Sequence, residues 1–296
     1  MAATQDNFHF DTIAIVGVGL IGGSLGMAAK TKKLARRVIG IGRSEPKLMR
    51  AKIRGAIDEY TLDFENGAAE ADLIVICTPV RTIVPTLDRM ADSLKDGAIV
   101  TDVGSTKAEV VKQASAIMPE GRHFIGGHPM AGSEQAGVDA ACPDLFLGAT
   151  YVLTPADGAD LSVLGYMAAF VESLGARVEI MTPEEHDEAV AVISHLPHAM
   201  AAALLRLAED SHRGSGKTLR LAAGSFRDLT RISDSPPEIW RDICFTNRKS
   251  LIRAVGELQG ALADFKMALM TGDESEIEKF FQRAREIREA YLRIAG

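Results

Sequence analysis

Residues 11–26, DTIAIVGVGLIGGSLG, narrow what this chain can fold into more than any other stretch. Residues 12–16 are a short β-branched apolar run of the kind a central parallel strand shows, and the run stops at Gly17. Gly17, Gly19 and Gly22 then spell G-x-G-x-x-G: a tight turn, a backbone bare enough for a pyrophosphate to approach, and a close contact between helix and strand. A helix predicted over residues 20–32, opening with Leu20 and Ile21, turns its free N–H groups and the positive end of its dipole toward that anion. Alone the pattern is a weak signal, because glycine turns also serve packing. Directly behind a strand and at the head of a long α/β alternation, it predicts a dinucleotide site.

The alternation continues. Residues 37–41 read as the second strand, ending in Gly42-Arg43-Ser44. About 20 residues after the glycine turn an NAD site offers Asp or Glu to the ribose hydroxyls, whereas an NADP site offers Arg to the 2′-phosphate. Arg43 and Ser44 therefore favour NADP over NAD, while Glu45 would serve the ribose if the strand ran further. Residues 73–77 form another buried-strand run, halted at Thr78-Pro79 because proline cannot donate to a ladder; these two fall at the edge where dinucleotides lie. Strands over 97–102 and 123–126 each run into a polar motif, and a helix extending to residue 118 lies between them. A strand at 150–153, a helix at 160–174 and a strand at 177–180 extend the sheet. This spacing predicts an α/β, doubly wound, mainly parallel sheet.

Near residue 182 the character changes. Thr182-Pro183-Glu184-Glu185 is a capping box with proline at the first helical position. Helical patterns follow over 184–211, around 217–223, over 238–270 and over 274–294, with Asp273 and Glu276 spaced to cap the last. The expected division is a dinucleotide-binding domain over 11–181 and an all-helical domain over 182–296. Leu258, Leu262, Phe265 and Leu269 form an apolar stripe, and helices of this kind are expected to cover one another in a homodimer.

Composition limits the partners. With 33 basic against 40 acidic residues, a nucleic-acid partner is not expected, and an anionic substrate needs a local basic pocket. Cys77, Cys142 and Cys244 lie far apart without a C-x-x-C pair, which predicts neither a disulfide framework nor a zinc site and suits a reducing cytoplasm. The first ten residues lack a basic segment followed by an apolar one, and no uninterrupted apolar run approaches the ~20 residues of a membrane span, so neither a leader nor a membrane partner is expected.

Hydride removal from an alcohol requires a cofactor, a proton acceptor at the hydroxyl, and anchors for the rest of the substrate. His128, set between Gly126-Gly127 and Pro129, supplies an imidazole of suitable pKa. Ser105 follows a strand end in DVGSTK and is placed to reach the same hydroxyl, while Lys107 reads as a solvated helix residue. Ser194 and His198 share a helical face that Pro197 bends, and His195 lies between them; a metal site on the two histidines is not expected. Arg227 and Arg231 project together if helical, with Asp228 placed to neutralise one and leave a guanidinium for a carboxylate. Glu134, Gln135 and His186 read as structural, Glu134 being near enough in sequence to orient His128.

Taken in order, VGVGLIGGSLG (16–26), DVGSTK (102–107), GGHPMAGSE (126–134), SHLPHA (194–199), GSFRDLTRI (224–232) and WRDI (240–243) resemble the prephenate and arogenate dehydrogenase family of tyrosine biosynthesis. The resemblance covers residues 13–292. It implies an N-terminal Rossmann-type domain, a C-terminal helical dimerisation domain, and oxidation of a ring alcohol by NAD(P)+ with loss of the ring carboxylate as carbon dioxide. The substrate is then prephenate, arogenate, or both. The resemblance further suggests that His128 assists deprotonation of the ring hydroxyl, that Ser105 supports it, that Arg231 holds a substrate carboxylate, and that Ser194 and His198 contact the ring or its side chain. Many relatives carry Asp where this chain has Gly42-Arg43, which leaves NAD against NADP open. No fused chorismate mutase or regulatory domain is expected. The other readings are a β-hydroxyacid dehydrogenase, which would use a helix lysine as base, and a dinucleotide sensor indifferent to His128.

Overall fold

The computed structural model describes residues 9–132 and 135–295. The chain divides into two compact units, one ending at Arg248 and one beginning at Lys249. In the first, strands β1 (Phe10–Val16), β2 (Ala35–Ile41), β3 (Glu59–Thr61), β4 (Leu73–Ile76), β5 (Ile99–Asp102), β6 (His123–Pro129), β7 (Thr150–Pro155) and β8 (Arg177–Ile180) form one sheet in the order 3-2-1-4-5-6-7-8. β1 to β6 run parallel; β7 pairs antiparallel with β6 and parallel with β8. The doubly wound, mainly parallel sheet read from the sequence is the one observed.

Two strands differ from that reading. β3 is a three-residue, half-buried strand with no apolar run to announce it, held by pairing with Ile39–Ile41 of β2. β6 runs on past Gly126 because β7 pairs with it, with His128 opposite Val152, so His128 is a strand residue and not a loop residue.

Helices cover both faces. On one side α1 (Leu20–Thr31), α2 (Glu45–Ile53) and, later in the chain, α6 (Leu161–Ser173) pack on Ile13, Ile15, Leu73 and Val75. On the other α3 (Phe64–Ala69), α4 (Val80–Met90) and α5 (Ala108–Ile117) pack on Ala14, Val16, Ile74 and Ile76. Alternate residues of β1 and β4 thus enter opposite cores, which explains why both strands read as unbroken apolar runs.

Thr182 closes the expected capping box, its hydroxyl accepting from Glu185 N and its N–H donating to the Glu185 carboxylate, and α7 (Pro183–Val190) begins there. The single bent helix expected over 184–211 is instead α7, a π-helical turn (Ala191–His195) and α8 (Leu196–Ser215). Pro197 has no N–H to offer, and the wider turn just ahead of it absorbs the mismatch. By length and composition Pro183–Gly214 is apolar enough to cross a membrane. Its His186, Asp187 and His195 are buried and hydrogen-bonded to other segments of the first unit. A short 3₁₀ turn leads to α9 (Gly224–Thr230), a second 3₁₀ turn (Arg231–Asp234) and α10 (Pro237–Thr246). The helix expected over 238–270 is broken at Asn247, which leaves helical geometry while its amide donates to buried acceptors.

The second unit comprises most of α11 (Arg248–Thr271) and α12 (Glu274–Ala295). Asp273 caps α12 by accepting from Glu276 N, as its spacing suggests. Phe265 packs against Phe280 and Phe281, while Leu262, Leu269, Met270 and Ile287 stay exposed.

Lys107, read from sequence as a solvated helix residue, is completely buried, its ammonium donating to the Asp102 carboxylate and to Gly127 O. Removing one member of a buried ion pair strands the other, so Lys107→Ala is expected to lower the unfolding free energy by about 3–5 kcal/mol, read from urea denaturation.

Candidate active site

The carboxyl ends of β1 and β4 open onto a groove of about 920 Å³ lined by Gly17, Gly19, Arg43, Ser44, Thr78 and Pro79, among others. Gly17 has φ +91°, and a Cβ there would lie 2.8 Å from Cys77 O. A Cβ on Gly22 would lie 2.5 Å from Gly17 O, so both positions exclude any larger residue. Gly19, by contrast, faces open space. The turn is therefore packed shut on its protein side and bare on its groove side, with Leu20 and Ile21 starting α1 behind it. Thr78 Oγ1 is buried at the groove with no hydrogen-bond partner among the described residues. These features fit a dinucleotide, whose pyrophosphate would meet the α1 N-terminus.

At the far end of the groove Arg43, Ser44 and Lys47 line the wall. Glu45 does not; it accepts a hydrogen bond from Tyr60 Oη at 3.3 Å. Arg50, also on this wall, is paired with Asp139 at 2.8 Å.

On the same carboxyl edge β6 carries His128. Its position is set by two buried carboxylates. Asp102, at the end of β5, accepts from Gly104 N and Gly127 N as well as from Lys107, tying the β5–α5 loop to β6. Asp187, on α7, accepts from Lys107 N at 2.7 Å, Ala108 N at 3.0 Å and the His186 ring at 2.8 Å. His186 Nε2 in turn lies 2.8 Å from His128 Nδ1, the two rings meeting edge to face. Burial pushes the His128 pKa well below its ordinary value, with His186, Lys107 and His195 adding to the effect. His128 is therefore a neutral imidazole at physiological pH, able to accept a proton.

Ser105 is half-buried in the loop that Asp102 and Asp187 clamp. Ser194 lies in the π turn, so it and His198 do not sit on one unbroken α-helix. His195 Nδ1 is 3.1 Å from the Asn247 amide, which also donates to Asp187 O; burial pushes this histidine down to about 4 against the opposing pull of Asp187. His198 stacks on Trp240 with ring centroids 3.7 Å apart, and burial lowers its pKa against an opposing hydrogen bond with the Ile232 backbone. The two histidines thus serve different partners. Arg231 is exposed just past α9, and among the described residues neither it nor Arg227 nor Asp228 forms an ion pair, so the neutralising role expected of Asp228 is not seen. Glu134 lies outside the described residues.

In the sequence His186 reads as structural and Asp187 carries no signal. No motif marks them: they follow a capping box, where acidic residues ordinarily sit at a helix surface. Asn247 likewise stands in no motif, and although Lys107 and Trp240 stand in DVGSTK and WRDI, the burial of one and the stacking of the other on His198 are not visible in those motifs.

Comparison with known proteins places these residues in a wider context. Residues 25–193 match the family described as "Prephenate dehydrogenase, nucleotide-binding domain", and residues 182–283 match "Prephenate dehydrogenase, dimerization domain". The prephenate dehydrogenase of Bacillus subtilis is 37% identical over 280 residues, covering 94% of this chain and 76% of that protein. The structure of Synechocystis arogenate dehydrogenase superposes with a TM-score of 0.84 at 33% identity, covering 95% of this chain and 99% of that one. That of Aquifex aeolicus prephenate dehydrogenase in complex with hydroxyphenyl propionate and NAD+ gives 0.83 at 29% identity, covering 96% and 98%.

Proposed function

The chain belongs to the prephenate dehydrogenase family, and from that premise we propose that it converts prephenate to 4-hydroxyphenylpyruvate by oxidative decarboxylation in tyrosine biosynthesis. The observation that carries the proposal is a neutral His128 on the same sheet edge as the glycine turn. A nicotinamide dinucleotide held by Gly17, Gly19, Leu20, Ile21, Gly22, Thr78 and Pro79 supplies the hydride acceptor. His128 takes the ring hydroxyl's proton as the ring carbon is oxidised, Ser105 supports that hydroxyl, and the proton returns to the phenolate left when carbon dioxide departs. Aromatisation drives the loss of the carboxylate, so no second base is required. Arg231 holds a substrate carboxylate, and Ser194 and His198 contact the ring or its side chain. Arogenate is a second candidate substrate, favoured by the likeness to an arogenate dehydrogenase.

The cofactor is NADP in this reading. Arg43, Ser44 and Lys47 line the groove where the adenosine ribose would lie, and Glu45, the residue that would favour NAD, is turned to Tyr60. We place the domain junction between residues 181 and 182, at the capping box. The exposed apolar side chains of α11 and α12 support a homodimer through the helical domain. Three free thiols suit the cytoplasm, with neither a membrane nor a nucleic acid as partner.

Reduced-nicotinamide absorbance with prephenate or arogenate, each with NAD+ or NADP+, tests the assignment; silence in all four mixtures, with the cofactor bound, would sink it. His128→Asn is expected to lower kcat by about 10²- to 10⁴-fold with cofactor affinity unchanged. Because the His128 pKa is lowered, the wild-type kcat/KM is expected to hold down through neutral pH and to fall on the acid side with a midpoint below 6.5. Arg231→Ala should raise KM for the substrate by roughly tenfold or more, the cost of a lost carboxylate anchor, with a smaller change in kcat. Arg43→Asp should shift the ratio of kcat/KM values from NADP+ toward NAD+; an unmoved ratio would place the 2′-phosphate elsewhere.

A further inference from the structure

Two side chains outside the motifs, His186 and Asp187, form a chain that ends on His128 and determines which of its nitrogens can act. Asp187 is saturated as an acceptor: Oδ1 receives Lys107 N and the His186 ring, and Oδ2 receives Ala108 N. A group already accepting two backbone N–H bonds makes its third by accepting as well, so His186 Nδ1 carries the hydrogen. His186 is then left with a lone pair on Nε2. That nitrogen lies 2.8 Å from His128 Nδ1, so the hydrogen between the two rings belongs to His128. The remaining nitrogen of His128, Nε2, bears a lone pair.

We infer that Asp187 and His186 are positioning residues that lock His128 in the Nδ1–H tautomer, making Nε2 the atom that receives the substrate proton. The inference rests on the role given to His128 above. In the proton-transfer step the substrate O–H bond breaks, an Nε2–H bond forms, and the positive charge on the imidazolium is shared through Nδ1–H toward His186 and, beyond it, Asp187. No proton need leave the chain. Burial enforces the arrangement, since His186 is 1% and Asp187 3% exposed, and water is not available to offer the alternative hydrogen bonds. The same carboxylate fixes the backbone of residues 107 and 108, so the loop carrying Ser105 and the tautomer of His128 are set by one group. The other charged or titratable groups acting on His128 are Lys107, from the β5–α5 loop, and His195, from the π turn; both disfavour its protonated form.

The test uses the full chain labelled with ¹⁵N-histidine at neutral pH, with His128→Asn identifying the His128 resonances. Wild-type protein is expected to show protonated Nδ1 and unprotonated Nε2 on His128. His186→Leu removes the acceptor, and an imidazole without one favours the Nε2–H form; kcat should fall by roughly 10²-fold or more, as a wrong tautomer costs a general base, while KM changes little. His186→Gln, whose Oε1 can accept from Nδ1–H, should keep the wild-type tautomer and recover most of the lost kcat. A wild-type His128 protonated on Nε2 would overturn the inference, as would His186→Leu protein with unchanged tautomer and kcat. Should His186→Leu fail to fold, the wild-type tautomer and the His186→Gln kinetics still decide it. A wild-type protein with Nδ1–H on His128 but no turnover of prephenate or arogenate would reject the functional reading and leave the tautomer lock standing.

Discussion

Much of this molecule depends on where Asp187 sends its two oxygens. A carboxylate 3% exposed is costly unless its acceptors are filled, and here they are filled by the backbone N–H groups of residues 107 and 108 and by His186. Those donors come from the start of α5 and from the residue just before Asp187 in the chain. The opening helix of the C-terminal half is thereby fastened to the carboxyl edge of the sheet. Asn247 reinforces the joint by donating to the Asp187 carbonyl, and Thr106 meets Thr246 at 2.8 Å. The strands are paired with one another without a bond from α7, whereas the loop of Ser105 and the ring of His128 take their common reference from this fastening.

Asp102 and Lys107 perform a related task one layer deeper. Their pairing lies wholly out of water and joins three segments: the end of β5, the start of α5 and the Gly126-Gly127 stretch of β6. A lysine in such a place is held charged by its carboxylate against the burial that lowers its pKa. The resulting positive centre sits near His128 and helps keep that imidazole neutral. Structural and chemical duties therefore converge on the same buried charge, and neither can be altered alone.

The sheet was legible in the sequence because buried parallel strands announce themselves as apolar runs, and because Gly17 and Gly22 meet backbone and side-chain atoms too closely for any other residue. The dinucleotide groove followed from that. What escaped was whatever depended on tertiary pairing. β3 has no pattern of its own and exists through β2; β6 reached His128 through its pairing with β7. Lys107 reads as any solvated helix lysine, because its complete burial against Asp102 is a product of the fold. The break at Asn247 lies in a segment whose helical periodicity continues on both sides, and only the acceptors waiting on α7 and the π turn account for it.

The π turn at 191–195 has a consequence for how this chain tolerates change in length. An α-helix advances by about 100° per residue, so one additional residue held in a bulge rotates everything after it by that angle relative to an unbroken helix. α7 and α8 are therefore out of phase with each other, and the face that α8 turns toward Trp240 and the Arg231–Asp234 turn is set by the bulge as much as by the residues on it. Deleting one residue within the bulge would make the turn regular and leave His198 nearly in phase, whereas deleting one elsewhere ahead of His198, with the bulge kept, would swing it by about 100° around the helix axis away from its stacking partner. Substitutions along this helix perturb one contact each, whereas a change of one in its length outside the bulge re-addresses the whole face. The segment between Pro183 and Ser215 is thus indexed by residue count, and its spacing carries information that no individual side chain holds.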